Sequence, residues 1–175
     1  MLQTDIELRL RPYMPSHDFD IIKNWITEPR EHAMWCAGRT SFPMDRKDFQ
    51  RLLDDIAVRC GDTPFIVTDS EGAPVGFFCY SMNTETNEGM LKFVMVDPSQ
   101  RGRGYGRKMI SLAVRYAFEF TGAEKVRLCV LSPNEGAKRC YESVGFGYCG
   151  TDADVLKYEN ESWDRCHMVI EKGGK

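Results

Sequence analysis

Hydrophobic positions along this chain change their period several times, and each change marks an element. Glu7-Leu8-Arg9-Leu10-Arg11 alternates polar with apolar and stops at Pro12, which predicts a half-buried first strand. Phe19, Ile22, Trp25 and Ile26 share one face of a helix that Ser16 or Asp18 can cap and that ends before Pro29. Residues 30–43 show no clean period. Asp45 with Asp48 reads as a capping-box variant, and Phe49, Leu52, Leu53, Ile56 and Ala57 follow the helical period behind it. Two strands, 64–68 and 75–80, are joined through Asp69-Ser70-Glu71-Gly72, and a third spans 90–96. Met109, Ile110, Ala113, Val114, Ala117 and Phe118 form the apolar stripe of a helix over 105–121 that Gly122 closes. A strand at 125–131, a helix at 135–144, a short strand near 146–151 and a last one near 165–171 complete an alternating α/β pattern.

One junction in that pattern carries chemistry. The strand ending at Val96 runs into Asp97-Pro98-Ser99-Gln100-Arg101-Gly102-Arg103-Gly104-Tyr105-Gly106, and an amphipathic helix runs out. Glycines at 102, 104 and 106 let backbone N–H groups approach an anion, while the first helical turn adds unpaired donors and the positive end of a dipole. Arg101 and Arg103 add charge nearby. The dinucleotide fingerprint fails because Arg107 stands where it needs glycine, although Glu124 lies near the position of a ribose-binding acid. The P-loop fails because no Gly-Lys-Ser/Thr closes the run.

The stretch after the 125–131 strand narrows the reading. Arg101, Gly104 and Gly106 match the Arg/Gln-x-x-Gly-x-Gly/Ala signature, and Asn134, Ala137, Tyr141, Gly145 and Phe146 match Asn-x-x-Ala-x-x-x-Tyr-x-x-x-Gly-Phe. With these two ordered motifs the chain resembles the GCN5-related N-acetyltransferases (GNAT), most strongly over about residues 64 to 150.

The resemblance implies an α+β fold: a mixed, mostly antiparallel central sheet flanked by about four helices, with the fourth and fifth strands splayed to admit a pantetheine arm. It implies acetyl-CoA as cosubstrate and no metal. The backbone of Val94 and Val96 would meet the pantetheine amides. The pyrophosphate would lie on Arg101, Gly102, Arg103, Gly104, Tyr105 and Gly106, with Asn134 either touching the cofactor or capping its own helix. Tyr141 is the expected general acid: a phenol of pKa about 10 can protonate a thiolate of pKa about 8.5 only when positioned against it. The acceptor is an amine, either on a small molecule or at a protein or peptide N-terminus, attacking directly in a ternary complex. A lysine-like amine of pKa about 10.4 is neutral only about once in a thousand molecules at neutral pH, so a base is wanted. The strand residues 91–95 contain no glutamate; Glu88 just before them could act through water, and Glu31 or His32 could approach from the irregular segment. In the family the first two helices and their connection shape the acceptor pocket, here roughly residues 25 to 48, with Trp25, Trp35 and Phe42 as candidate contacts.

Composition sets the outer bounds. At 175 residues and 42% hydrophobic the chain fits one domain over 1–172 with a frayed tail at 173–175. A net charge of −3 gives no general attraction to nucleic acid or anionic membrane. Seven scattered cysteines without Cys-x-x-Cys spacing suggest neither a disulfide framework nor a zinc site, and Cys79 and Cys129 read as small buried hydrophobes. Residues 1–6 show no basic apolar leader and no stretch reaches ~18 apolar residues, so a reducing cytoplasm is the expected home. His17 and His167 have no partner spacing for a metal or a catalytic triad, and Cys140 has no flanking histidine to activate it. Two other classes remain at this stage: a non-catalytic acyl-CoA-binding or sensor domain, and a nucleotide-binding α/β domain. A homodimer is left open.

Overall fold

The computed structural model describes residues 7–174; readings that rest on residues 1–6 and on Lys175 lie outside that range. Strand β1 (Arg9–Pro12) leads into helices α1 (Pro15–Ile22), α2 (Pro29–Cys36) and α3 (Arg46–Cys60). Then follow β2 (Thr63–Thr68), β3 (Pro74–Asn83), β4 (Glu88–Val96), a 3-10 turn (Pro98–Gln100), α4 (Tyr105–Phe120), β5 (Lys125–Leu131), α5 (Glu135–Val144), β6 (Gly147–Tyr158) and β7 (Glu161–Glu171). All seven strands join one sheet in the order β1-β2-β3-β4-β5-β7-β6, antiparallel except between β4 and β5. No described helix is long and apolar enough to cross a membrane.

Strand alternation splits the apolar side chains between two layers. Phe65, Val67, Phe78, Tyr80, Leu128 and Met168 meet Met109, Ile110, Ala113 and Ala117 of α4 on one face. On the other, Ile66, Phe77, Cys79 and Met95 meet Phe19 and Ile22 of α1 and Phe49, Leu52 and Ile56 of α3. The contact under α4 is close. A Cβ at Gly76 would lie 2.2 Å from Met109 Sδ and 3.3 Å from Met95 O, so β3 passes close beneath the helix and a larger residue there would have to displace the Met109 side chain.

The N-terminal third departs most from expectation. Neither Ser16 nor Asp18 caps α1; Met14 is the N-cap, Pro15 takes the first helical position, and the Asp18 carboxylate reaches back to accept from Met14 N at 2.7 Å. The helix stops at Ile22, leaving Trp25 and Ile26 buried but outside it. The segment without a period holds α2, a fifth helix, whose buried positions are His32 and Cys36 rather than an aliphatic stripe. Asp45 caps α3 by accepting from Lys47 N and Asp48 N, both at 3.0 Å; Asp48 instead accepts from Ser41 N. The last two strands form a hairpin far longer than their apolar cores suggest, because β6 is almost wholly exposed.

Asp18 ties this layer together. Its side chain is fully buried, and Arg11 donates to both of its oxygens at 2.7 Å. Burial alone would raise its pKa, but the bonds from Arg11, His17 and Met14 N outweigh that and hold it at about 2. A folded-state pKa below the unfolded value stabilises the fold above the unfolded pKa, and that stabilisation is lost as pH falls through the folded one. We therefore expect Asp18→Asn to lower unfolding free energy at neutral pH by about 2–3 kcal/mol. Urea titrations between pH 5 and pH 2 should show the variant losing less stability than the parent across that window; equal losses would remove Asp18 from the account.

Candidate functional site

The parallel pairing of β4 with β5 runs only from Glu88–Leu91 against Lys125–Leu128, and beyond it the strands part. The departure is built into β4. Cys79 and Phe77 of β3 pair with Lys92 and Met95, so Phe93 and Val94 together oppose the single residue Phe78, and Phe93 takes φ 52°. This bulge bends the strand away from its neighbour. A cavity of about 740 Å3 lies at the fork, with Val94, Met95 and Val96 along one wall.

At one end of the cavity stands the N-terminus of α4. Gly102 and Gly104 have φ 72° and 86°, values that side-chain-bearing residues rarely adopt. No side chain caps this helix, so its first-turn N–H groups are left to the cavity. Gly106 packs against α5, where a Cβ would lie 3.3 Å from Cys140 Sγ. Gly102, Gly104 and Gly106 all line the space, together with Arg101, Arg107 and Arg139. Uncapped donors, a helix dipole and three guanidinium groups make this end suited to a polyphosphate.

Helix α5 supplies the facing wall. Asn134 accepts from Ala137 N at 3.2 Å as its N-cap and also lines the cavity, so its carboxamide oxygen is engaged and its N–H2 remains to donate. Tyr141 lines the cavity from about two helical turns further on, and burial pushes its phenol pKa upward. Cys140 beside it is likewise raised by burial, and the lining contains no histidine.

The third wall is α2, through Glu31, Met34 and Trp35, with Ile26 before it. Trp35 packs on Phe49 and Phe93, and polar contacts add to that hold on the helix. Arg30 makes a two-pronged ion pair with Glu161 of β7 while its guanidinium lies 4.9 Å from the Trp163 ring. His32, buried, bonds to Thr40 Oγ1 at 3.1 Å and to Cys36 Sγ at 3.6 Å. Burial opposes ionisation of Cys36, yet the bonds from His32 and Thr40 bring its thiol down to about 7. Glu31 pairs with Arg101 at 2.5 Å, joining α2 to the glycine loop across the cavity. Trp35 Nε1 is buried and has no protein partner among the described residues.

The structure thus gathers Val94, Val96, Arg101, Gly102, Gly104, Gly106, Asn134, Tyr141 and Trp35 around one space. Other expected residues stand elsewhere. Arg103 donates to Gln100 at 2.9 Å and lies over the Tyr105 ring, and neither lines the cavity. Trp25 is in the α1–α3 core, and Phe42 packs on His32 outside the lining. Glu88 is at the paired end of the fork, outside the lining, with Arg127 donating to both its oxygens at 3.0 and 3.2 Å. That pairing lowers its pKa and engages it away from the cavity. Arg107, Arg139 and Met34 were missed; the two arginines lie one helical turn or less from motif residues, a signal the spacing did contain. Among the described residues, no three His, Cys, Asp or Glu side chains are placed to hold a metal ion.

Comparison with known proteins agrees with this geometry. The acetyltransferase (GNAT) family profile matches residues 17–146. The aminoglycoside N(6')-acetyltransferase type 1 of Klebsiella pneumoniae is 26% identical over 158 residues, covering 83% of this chain and 76% of its own. The streptothricin acetyltransferase of Streptomyces lavendulae is 30% identical over 53% of this chain and 49% of its own. Among solved structures, the spermidine N-acetyltransferase of Vibrio cholerae in complex with CoA and spermine superposes with a TM-score of 0.76 at 21% identity, covering 94% of this chain and 95% of that one. Fork, glycine loop and matched profile coincide over the same residues, and the chain belongs to the acetyltransferase (GNAT) family.

Proposed function

We propose that this enzyme transfers the acetyl group of acetyl-CoA to a primary amine, on a small molecule or at a peptide N-terminus, by direct attack within a ternary complex. The observation that carries the reading is the single cavity bounded by the glycine loop, the free edge of β4, Tyr141 and α2. Acetyl-CoA supplies the thioester. The chain's own groups hold and orient it: first-turn amides of α4 with Arg101, Arg107 and Arg139 for phosphates, and the β4 backbone at Val94 and Val96 for the amides of the arm.

Direct transfer is favoured over an acyl-enzyme because the one cavity thiol, Cys140, is held as the thiol by burial and has no imidazole in the lining. Tyr141 acts on the leaving group. With its phenol raised by burial above the ordinary value of about 10, full proton transfer to a thiolate of pKa about 8.5 is uphill, so its contribution is an O–H···S hydrogen bond to the departing charge. The acceptor side, Ile26, Met34 and Trp35 with Glu31 beside them, is largely apolar, which fits a small amine presented by its carbon framework. Relatives named for aminoglycosides, streptothricin and spermidine support an amine acceptor.

Calorimetric titration tests the cradle. Acetyl-CoA should bind at micromolar concentration while ATP and NAD do not, and Gly104→Val, strained at φ 86°, should weaken binding by about tenfold or more. Binding of all three ligands alike, or unchanged affinity in a folded Gly104→Val protein, would remove the cradle assignment. Tyr141→Phe should leave acetyl-CoA affinity within about twofold and lower kcat by about 10- to 100-fold in an assay of free CoA release with a panel of amines. Full turnover in that variant would take Tyr141 out of the mechanism; cofactor binding without turnover on any amine by the parent protein would favour an acyl-CoA sensor instead. Glu31 competes with phosphate for Arg101, so Glu31→Gln should tighten acetyl-CoA binding by about two- to fivefold, the range of an exposed ion pair. Weaker binding would show that Glu31 supports the loop rather than competing for it.

A further inference from the structure

Three side chains far apart in the sequence meet on one face of the sheet. Leu128, Val130 and Met168 belong to the core under α4, so alternation turns Cys129 of β5 and His167 of β7 to the opposite face. These two are directly paired in the strand register, and Asp152 arrives from β6 on the far side of β7. His167 Nδ1 is 3.2 Å from Cys129 Sγ, and His167 Nε2 is 2.8 Å from Asp152 Oδ2. A carboxylate only accepts, so Nε2 carries the ring proton and Nδ1 presents its lone pair to the thiol. Thiol, imidazole and carboxylate stand in the order by which a base activates a nucleophile and a third group orients the base. The cluster is no part of the acetyl-CoA cavity. It is open to reagents: the side chains of His167 and Asp152 are 35% and 52% exposed, and Cys129 is half-buried.

We propose that Cys129 is a site of thiol–disulfide exchange with a low-molecular-weight disulfide, with His167 as its base and Asp152 as a positioning residue. Cys129 Sγ attacks one sulfur of the disulfide while its proton passes to His167 Nδ1. The S–S bond of the reagent breaks, and the departing thiolate takes that proton. The products are a mixed disulfide on Cys129 and one free thiol, with one disulfide exchanged for another and no net oxidation. Burial raises the Cys129 pKa, so the resting group is the thiol and the proton must leave during attack, which is the role of the imidazole. Its charged surroundings come from every neighbouring strand: Arg165 and Lys92 favour the thiolate, while Asp152 and Cys149 oppose it. Arg127, on the same face, is engaged with Glu88 and Cys149.

The test uses the whole chain with oxidised glutathione, acid quenching and peptide mass spectrometry, with exposed Cys60 as an internal reference. At pH 7 Cys129 should form the mixed disulfide at least about tenfold faster than Cys60. His167→Gln should slow Cys129 by at least about tenfold, and Asp152→Asn should slow it with Asp152→Glu restoring part of the rate, each leaving Cys60 unchanged. A Cys129 rate no faster than that of Cys60, or an unchanged rate in His167→Gln, would each overturn the proposal. The comparison with Cys60 needs only the parent protein, so a variant that fails to fold does not shelter the idea.

Discussion

The fork between β4 and β5 is the constraint on which the rest of this molecule depends. A parallel pair joined by a helical crossover would ordinarily zip along its length, with each backbone amide finding a partner across the seam. Here pairing ends at Leu91 and Leu128, and an extra residue at the Phe93 bulge turns β4 aside. The backbone groups so freed are costly to leave bare. A cosubstrate arm rich in amides is the natural partner for such an edge, which links a local irregularity in one strand to the size and polarity of what the cavity takes.

Around that gap the two sides are built differently. The glycine-loop side is backbone and glycine, on elements packed into the larger core through Met109, Ile110 and Ala113. The α2 side adds polar contacts to the packing of Trp35 on Phe49 and Phe93: Arg30 to Glu161, Glu31 to Arg101, and the buried group of His32, Cys36 and Thr40. Partly exposed ion pairs are individually weak and directional, whereas packed aliphatic layers are strong and unforgiving. A packed side facing a wall tied partly by ion pairs suits a family whose members, to judge by the names of its relatives, act on different amines.

Much of this was legible in the sequence where local rules operate. The bounds of β5 and α5 match their expectation, because Asn134 and Gly145 punctuate the helix with a side-chain cap and a left-handed exit. The glycine loop was legible for the same reason. Helix α2 was not, since its buried face is a histidine and a cysteine whose satisfaction depends on Thr40, and no hydrophobic period reveals that. The exposed ends of β6 and β7 were hidden in the same way. Cys129 and His167 were misread for a different cause: they are 38 positions apart, and only strand register makes them neighbours, so Cys129 is half-buried against an imidazole rather than enclosed among apolar side chains as its run suggested. Cys79, in a similar run, is wholly buried as expected.

Gly76 is no part of the cavity lining, but its neighbours are: it pairs with Val96, and a Cβ on it would meet Met109 and Met95, all three of which face that space. A methyl group there would displace the Met109 side chain, one turn along the helix whose start is the floor on which phosphates would rest. Inheritance of this site is therefore wider than its inventory of contacts: a silent-looking change in the middle of β3 reaches the cavity through the residues that line it, and a survey of variants confined to the lining would pass it over.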